Sequence, residues 1–160
     1  MEIKGDFQPS VRRALEEIDP EYEKLDALVI CGSHSPKAEE INSLIDSIRA
    51  ARITGLPALL ICYGYQLSAI EYARNVLGIK DATSEEFGQG TFVVKKRKEL
   101  KVGLYEGESW WSNYEVNLPD WKKPDNFFTT QSHPEYQSSI DQPHPLLVQF
   151  LNYARYKKDF

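Results

Sequence analysis

Leu56-Pro57-Ala58-Leu59-Leu60-Ile61-Cys62-Tyr63-Gly64-Tyr65-Gln66 decides how this chain folds. The unbroken apolar run Ala58 to Ile61 suits a strand buried on both faces of a parallel sheet. A helical pattern follows at once, with apolar Leu67, Ile70, Ala73, Val76 and Leu77 on one face and Gly78 placed as a C-cap. Cys62 therefore falls at a sharp strand-to-helix turn with Gly64 two residues on, the geometry of a nucleophile elbow. Such a turn exposes the sulfur beside a helix N-terminus, whose partial positive charge favours thiolate. Taken alone, Cys62 is read more simply as a small buried hydrophobe. What changes that reading lies downstream.

Upstream, Glu2 and its neighbours in Met1-Glu2-Ile3-Lys4 form a short strand, and Gly5-Asp6-Phe7 a turn. A helix through Val11, Ala14, Leu15 and Ile18 follows, with Ser10 as expected N-cap. Leu25 to Cys31 reads as a second buried strand, and Gly32-Ser33-His34-Ser35-Pro36 as the loop at its end. A helix is predicted from about Ala38 to Ile53, carrying Ile41, Leu44, Ile45 and Ile48 on one face. This β-α alternation indicates a parallel sheet covered by helices, with sites gathered at the carboxyl ends of the strands.

After Gly78 the character changes. Thr91 to Val94 and Lys101 to Tyr105 read as short strands, paired as a hairpin across the basic run Lys95-Lys96-Arg97-Lys98. Phe127 to Gln131 is a further strand, and a closing helix runs from Pro145 through Tyr156 with Leu146, Leu147, Phe150, Leu151 and Ala154 inward. The expected whole is one domain over residues 1–160.

Composition limits the function. With 41% hydrophobic and 27% charged residues and a net charge of -5, the chain lacks the basic face of a nucleic-acid binder. The basic run reads as a solvated loop tip. No stretch approaches the ~18 apolar residues of a membrane helix, and the N-terminus has no signal-peptide pattern. Cys31 and Cys62 make neither a disulfide framework nor a metal-site spacing. A cytoplasmic, reduced setting with no nucleic-acid or membrane partner is expected, and no metal or other cofactor.

His133 follows a strand and precedes Pro134, so its backbone is held extended. Glu135 lies two residues on, where an extended segment projects both side chains to one side. A carboxylate there fixes the imidazole's tautomer and stabilises imidazolium, the third role in a nucleophile-base-orienter arrangement.

Cys62-Tyr63-Gly64-Tyr65-Gln66 and Ala69-Ile70-Glu71-Tyr72-Ala73-Arg74-Asn75-Val76-Leu77-Gly78 together resemble the nucleophile region of the class I glutamine amidotransferase domain of CTP synthases. Ser84-Glu85-Glu86-Phe87, Tyr114-Glu115-Val116-Asn117 and Gln131-Ser132-His133-Pro134-Glu135-Tyr136 are similar to its later landmarks, in the family's order. The run Ile70 to Gly78 is particular to the CTP synthase branch; Cys-x-Gly-x-Gln and His-Pro-Glu belong to the superfamily.

The resemblance implies a flavodoxin-like three-layer α/β sandwich with a mostly parallel central sheet, shortened before Leu25. It implies that Cys62 attacks the side-chain amide of glutamine to give a γ-glutamyl thioester and ammonia. His133 would act as general base and acid and Glu135 as its orienter. The backbone N–H of Tyr63 and one from Gly32-Ser33 would form the oxyanion hole, such donors being worth about 3 kcal/mol each. Gln66, Glu86, Asn113 and Tyr114 fall at substrate-binding positions.

Three departures stand out. The oxyanion loop reads Cys31-Gly32-Ser33-His34-Ser35 where the family is glycine-rich, and serine restricts the peptide orientations available. Leu60 replaces a glycine two residues before the nucleophile. Asn113 stands where an arginine holds the substrate's α-carboxylate, which asparagine does not replace. The adjacent Trp110 and Trp111 read as packing residues, His34 as a solvent-exposed loop residue and His144 as structural.

No segment resembles the family's synthetase domain, so the chain is not expected to make CTP alone. Three functions are then open. The first is a glutaminase feeding ammonia to a separate synthetase partner or homo-oligomer. The second is a stand-alone hydrolase of a related γ-glutamyl amide, and the third a non-catalytic binding or regulatory module that keeps the fold.

Overall fold

A computed structural model describes residues 1–33, 37–97, 103–105, 108–110 and 114–160, with backbone alone for 103–105 and 108–110. Its main sheet has the order β1-β2-β3-β9, every pair parallel. The strands are β1 (Glu2–Lys4), β2 (Leu28–Ile30), β3 (Ala58–Ile61) and β9 (Phe127–Thr130). Helices α1 (Gln8–Ile18), α2 (Ala38–Thr54), α3 (Tyr63–Asn75) and α4 (Pro145–Lys158) cover it.

The alternation of side chains along the central strands sorts the core into two layers. Leu28, Ile30, Ala58 and Leu60 face α2 and α3, where Leu44, Ile45, Ile48, Leu67, Ile70 and Ala73 are buried. Val29, Cys31, Leu59 and Ile61 face α1 and α4, meeting Val11, Leu15, Leu147, Phe150 and Leu151. This is the expected α/β sandwich, with every residue of β3 buried on one side or the other. Leu60 is accommodated there, fully enclosed in the α2–α3 layer.

A smaller sheet joins β4 (Ala82–Ser84), β5 (Thr91–Lys96) and β8 (Tyr114–Val116). β6 (Gly103–Tyr105) and β7 (Glu108–Trp110) form an antiparallel pair. The hairpin expected between the strands flanking the basic run is therefore not formed. β5 runs parallel to β4 and antiparallel to β8, pairing Val94 with Val116, so that Val93 and Val94 are buried against the α2–α3 layer. Core burial, rather than proximity in sequence, chooses the partner.

Three local expectations also change. α1 begins at Gln8 with Phe7 in the cap position and no side-chain cap bond, so Ser10 lies inside the helix. α3 begins at Tyr63, ahead of the apolar periodicity, and ends at Asn75 with Val76 as C-cap. Gly78 lies beyond it in a left-handed conformation, next to Ile79, whose N–H bonds Ala73 O at 2.9 Å. His34, Trp111 and Asn113 lie outside the described residues, as do Lys98 and the side chain of Trp110.

Candidate active site

The carboxyl ends of β2, β3 and β9 meet at Cys62. Its N–H donates to Thr130 O at 2.7 Å, continuing the β3–β9 ladder, and its carbonyl accepts the Gln66 N–H at 3.0 Å within α3. Serving both a strand and a helix bends the backbone to φ 52° and ψ -100°; Cys62 is the one non-glycine residue at positive φ among those described. Strain of this kind costs about 1–3 kcal/mol and persists where surrounding packing enforces it. Gly64 is part of that enforcement, because a Cβ there would lie 2.3 Å from Ile30 O, so α3 starts in backbone contact with β2.

Half-buried Cys62 stands close enough to the imidazole of His133 to act on its protonation. His133 is 4% exposed, and its Nδ1 lies 2.8 Å from Oε1 of the fully buried Glu135. Burial alone would lower the imidazole's pKa. Interaction with Cys62 first and with Glu135 second outweighs it and raises His133 from 6.5 to about 9. The backbone that makes this contact is not the extended segment expected, since Pro134–Tyr136 form a 3₁₀ turn with His133 in its cap position at φ -111° and ψ 82°. The turn brings the carboxylate back to Nδ1. Arg13 on α1 ties it down, with Nη2 donating to Glu135 O at 2.8 Å.

Gly32 stands against the imidazole. A Cβ on Gly32 would meet Phe7 Cδ2 at 2.3 Å and His133 Cε1 at 3.0 Å. Gly32 O accepts from the N–H groups of Asp6 and Phe7, and Ser33 Oγ accepts from Asp6 N–H at 3.2 Å. The Phe7 ring meets His133 edge-on at 5.6 Å, and Tyr136 lies 5.8 Å from the imidazole. The turn after β1 thus clamps the loop after β2, a role that reading Gly5-Asp6-Phe7 as a simple turn does not reveal.

Tyr63 and Gln66 are both buried on the first turn of α3. As the first helical residue, Tyr63 has a backbone N–H without an intrahelical acceptor. Its ring meets Phe87 edge-on at 5.8 Å. Glu86, beside Phe87, is exposed to solvent, though partial desolvation raises its carboxyl above the usual carboxylate value. Burial first, and nearby carboxylates including Glu86 second, raise the phenols of Tyr63 and of the half-buried Tyr114. Cys62, His133, Glu135, Gly32 and Tyr63 are thus adjacent, while Glu86 and Tyr114 stand on the Phe87 side of Tyr63. His144 caps α4, its Nδ1 accepting from Leu146 N–H at 3.1 Å.

Sequence reasoning missed Phe7, Arg13 and Gln131 as neighbours of the site. Only Gln131 carried a signal, two residues before His133 in the quoted motif. Among the described residues, no group of three or more His, Cys, Asp or Glu could hold a metal ion, and no helix is long and apolar enough to cross a membrane.

A thiol on a strained strand-to-helix turn thus stands beside a buried histidine–carboxylate pair at the carboxyl end of a parallel sheet. Residues 5–153 match the glutamine amidotransferase class-I family, and the chain belongs to it. It is 30% identical to the CTP synthase of Encephalitozoon cuniculi over 181 aligned residues, covering 80% of this chain and 34% of that one. Over 70 residues it is 47% identical to the CTP synthase of Methanoculleus marisnigri, covering 44% of this chain and 13% of the relative. The glutaminase domain of Trypanosoma brucei CTPS with bound acivicin shares the fold, with a TM-score of 0.71 at 18% identity over 96% of this chain and 92% of that one. The chain spans about a third of the length of the Encephalitozoon relative.

Proposed function

We propose that this chain hydrolyses the side-chain amide of glutamine, or of a related γ-glutamyl compound, with Cys62 as nucleophile. His133 takes the thiol proton on Nε2, because Nδ1 is committed to Glu135. The sulfur adds to the amide carbon, and the resulting oxyanion is received by the N–H of Tyr63 and one from Gly32-Ser33. Collapse expels ammonia, or an amine, which leaves with the proton from His133. A thioester remains on Cys62. His133 then takes a proton from water, hydroxide adds to the thioester, and the free acid departs as the thiol is restored. Glu135 holds the imidazole in the tautomer that both half-reactions need.

The single observation carrying this reading is the buried His133–Glu135 pair, joined at 2.8 Å and closed to solvent, with Cys62 beside its imidazole. Gln66, Glu86 and Tyr114 would hold the rest of the substrate. Asn113 in place of the family's arginine favours a substrate whose α-carboxylate is masked or held otherwise, so the γ-glutamyl amides are the preferred alternative to free glutamine. The 160 residues would act as one domain in the cytoplasm, passing ammonia to a separate synthetase partner or within a homo-oligomer.

The test is glutamate release from glutamine and from a panel of γ-glutamyl amides. Activity on at least one that disappears in Cys62→Ala supports the proposal. A folded protein active on none of them, with Cys62 inert to alkylation, would leave a binding module that retains the amidotransferase fold.

A further inference from the structure

We infer that Gln131 is a further catalytic residue: its side-chain amide donates a hydrogen bond to the Cys62 sulfur and stabilises the thiolate. The inference rests on the proposed role of Cys62 and adds a donor on its other flank.

The register of the sheet puts the two residues together. Ile61 pairs with Thr130 across β3 and β9, so Cys62 and Gln131 leave the ladder side by side. Gln131 Nε2 lies 3.6 Å from Cys62 Sγ, within hydrogen-bond distance for sulfur. His133 stands on another side of the sulfur, where it too acts on Cys62. Gln131 is 6% exposed, and its buried Oε1 has no hydrogen-bond partner among the described residues.

That orphan oxygen identifies which end of the amide matters. A buried unpaired carbonyl is costly, so a glutamine kept only for packing would be better replaced by an apolar side chain of the same shape. Turning the amide over would set an oxygen against the sulfur and repel its negative charge. The arrangement is favourable only if the donor on sulfur is worth more than the acceptor lost. A neutral N–H···S contact is weak. Once the sulfur ionises the bond becomes charge-assisted and much stronger. Gln131 thus acts on the form of Cys62 that attacks.

Gln131→Met keeps the length and removes the donor; Gln131→Glu keeps the shape and replaces the donor with a carboxylate. The measurement is the iodoacetamide alkylation rate at Cys62 against pH, resolved by mass spectrometry from Cys31. The expected result is about a tenfold slower reaction at neutral pH in Gln131→Met. Gln131→Glu should be slower still, and both differences should close in alkali where the thiol ionises unaided. A merely structural role would not give that pH dependence. Equal rates and superimposable pH profiles in parent and folded variants overturn the inference, as does a parent Cys62 that never reacts. Glutamate release is scored separately. A parent that hydrolyses no γ-glutamyl amide while the alkylation profiles still differ refutes the proposed function and leaves Gln131 as a donor that stabilises the Cys62 thiolate.

Discussion

Replacing Glu135 with glutamine should flatten the pH dependence of this protein's stability. The fold holds the His133 imidazole at about 9, against 6.5 ordinarily, through Cys62 first and Glu135 second among the groups that raise it. A proton bound more tightly in the folded state contributes stability that is complete below pH 6.5 and is lost as the pH climbs through about 9. The contribution amounts to about 3 kcal/mol. Both side chains are buried, at 5% and 0% exposure, so solvent does little to screen it.

Glutamine preserves the size of the carboxylate and the backbone bond from Arg13 but removes the charge. The loss between near-neutral and alkaline pH should then shrink by about 1–3 kcal/mol, the worth of a hydrogen bond to a charged group. Because the Cys62 contact remains, it should not vanish. Urea unfolding of parent and variant at a series of pH values between those limits measures it directly. Burial first and the Glu135 charge second raise the Cys31 thiol from 9.0 to about 12, so its own contribution falls away only above 9 and the comparison is read below that pH. Parallel stability curves for parent and Glu135→Gln would refute the account of the pair.

Three other perturbations test the frame around the site. Gly64→Ala puts a methyl 2.3 Å from Ile30 O, a backbone atom that cannot swing aside; calorimetry should find the fold weaker by about 1–3 kcal/mol, with slower Cys62 chemistry. Arg52 makes a forked ion pair with the wholly buried Glu71, Nη2 to Oε1 at 2.8 Å and Nε to Oε2 at 3.0 Å. Arg52→Met should cost about 3–5 kcal/mol in denaturant unfolding, whereas joining it to Glu71→Leu should recover most of that loss. Native-state labelling at neutral pH should modify Cys62 and spare Cys31, which is fully enclosed with its thiol donating to Lys4 O at 3.1 Å; mass mapping that finds Cys31 labelled first would contradict this placement.

Elements whose own residues decide them were legible in the sequence. The apolar run of β3 and the helical faces of α2 and α4 announce buried strand and helix because burial on fixed faces leaves a period. The errors arose where a distant contact decided the outcome. Ser10 is the better cap by local chemistry, yet α1 starts earlier because Phe7 is held from outside, its N–H on Gly32 O and its ring on His133. The two strands beside the basic run look like natural partners, but nothing in β5 itself says that Val116 will cover Val94. The site divides the same way. Cys62, His133 and Glu135 belong to short motifs that can be read in place. Arg13 reaches Glu135 across 122 residues, and its surface-like setting in α1, beside Glu17, gave no sign of that contact.

The clamp of the Asp6–Phe7 turn on Gly32 gives the first few residues a mechanical importance out of proportion to their size. Through it the outermost strand of the sheet is fastened to the centre, and Thr130 fastens the centre to the strand on the far side. The pocket therefore has no hinge of its own among these strands. Detachment of β1 at the rim would loosen the wall behind His133 some three strands away, so amide protection at Asp6, Phe7 and Cys62 should be lost in a single cooperative opening.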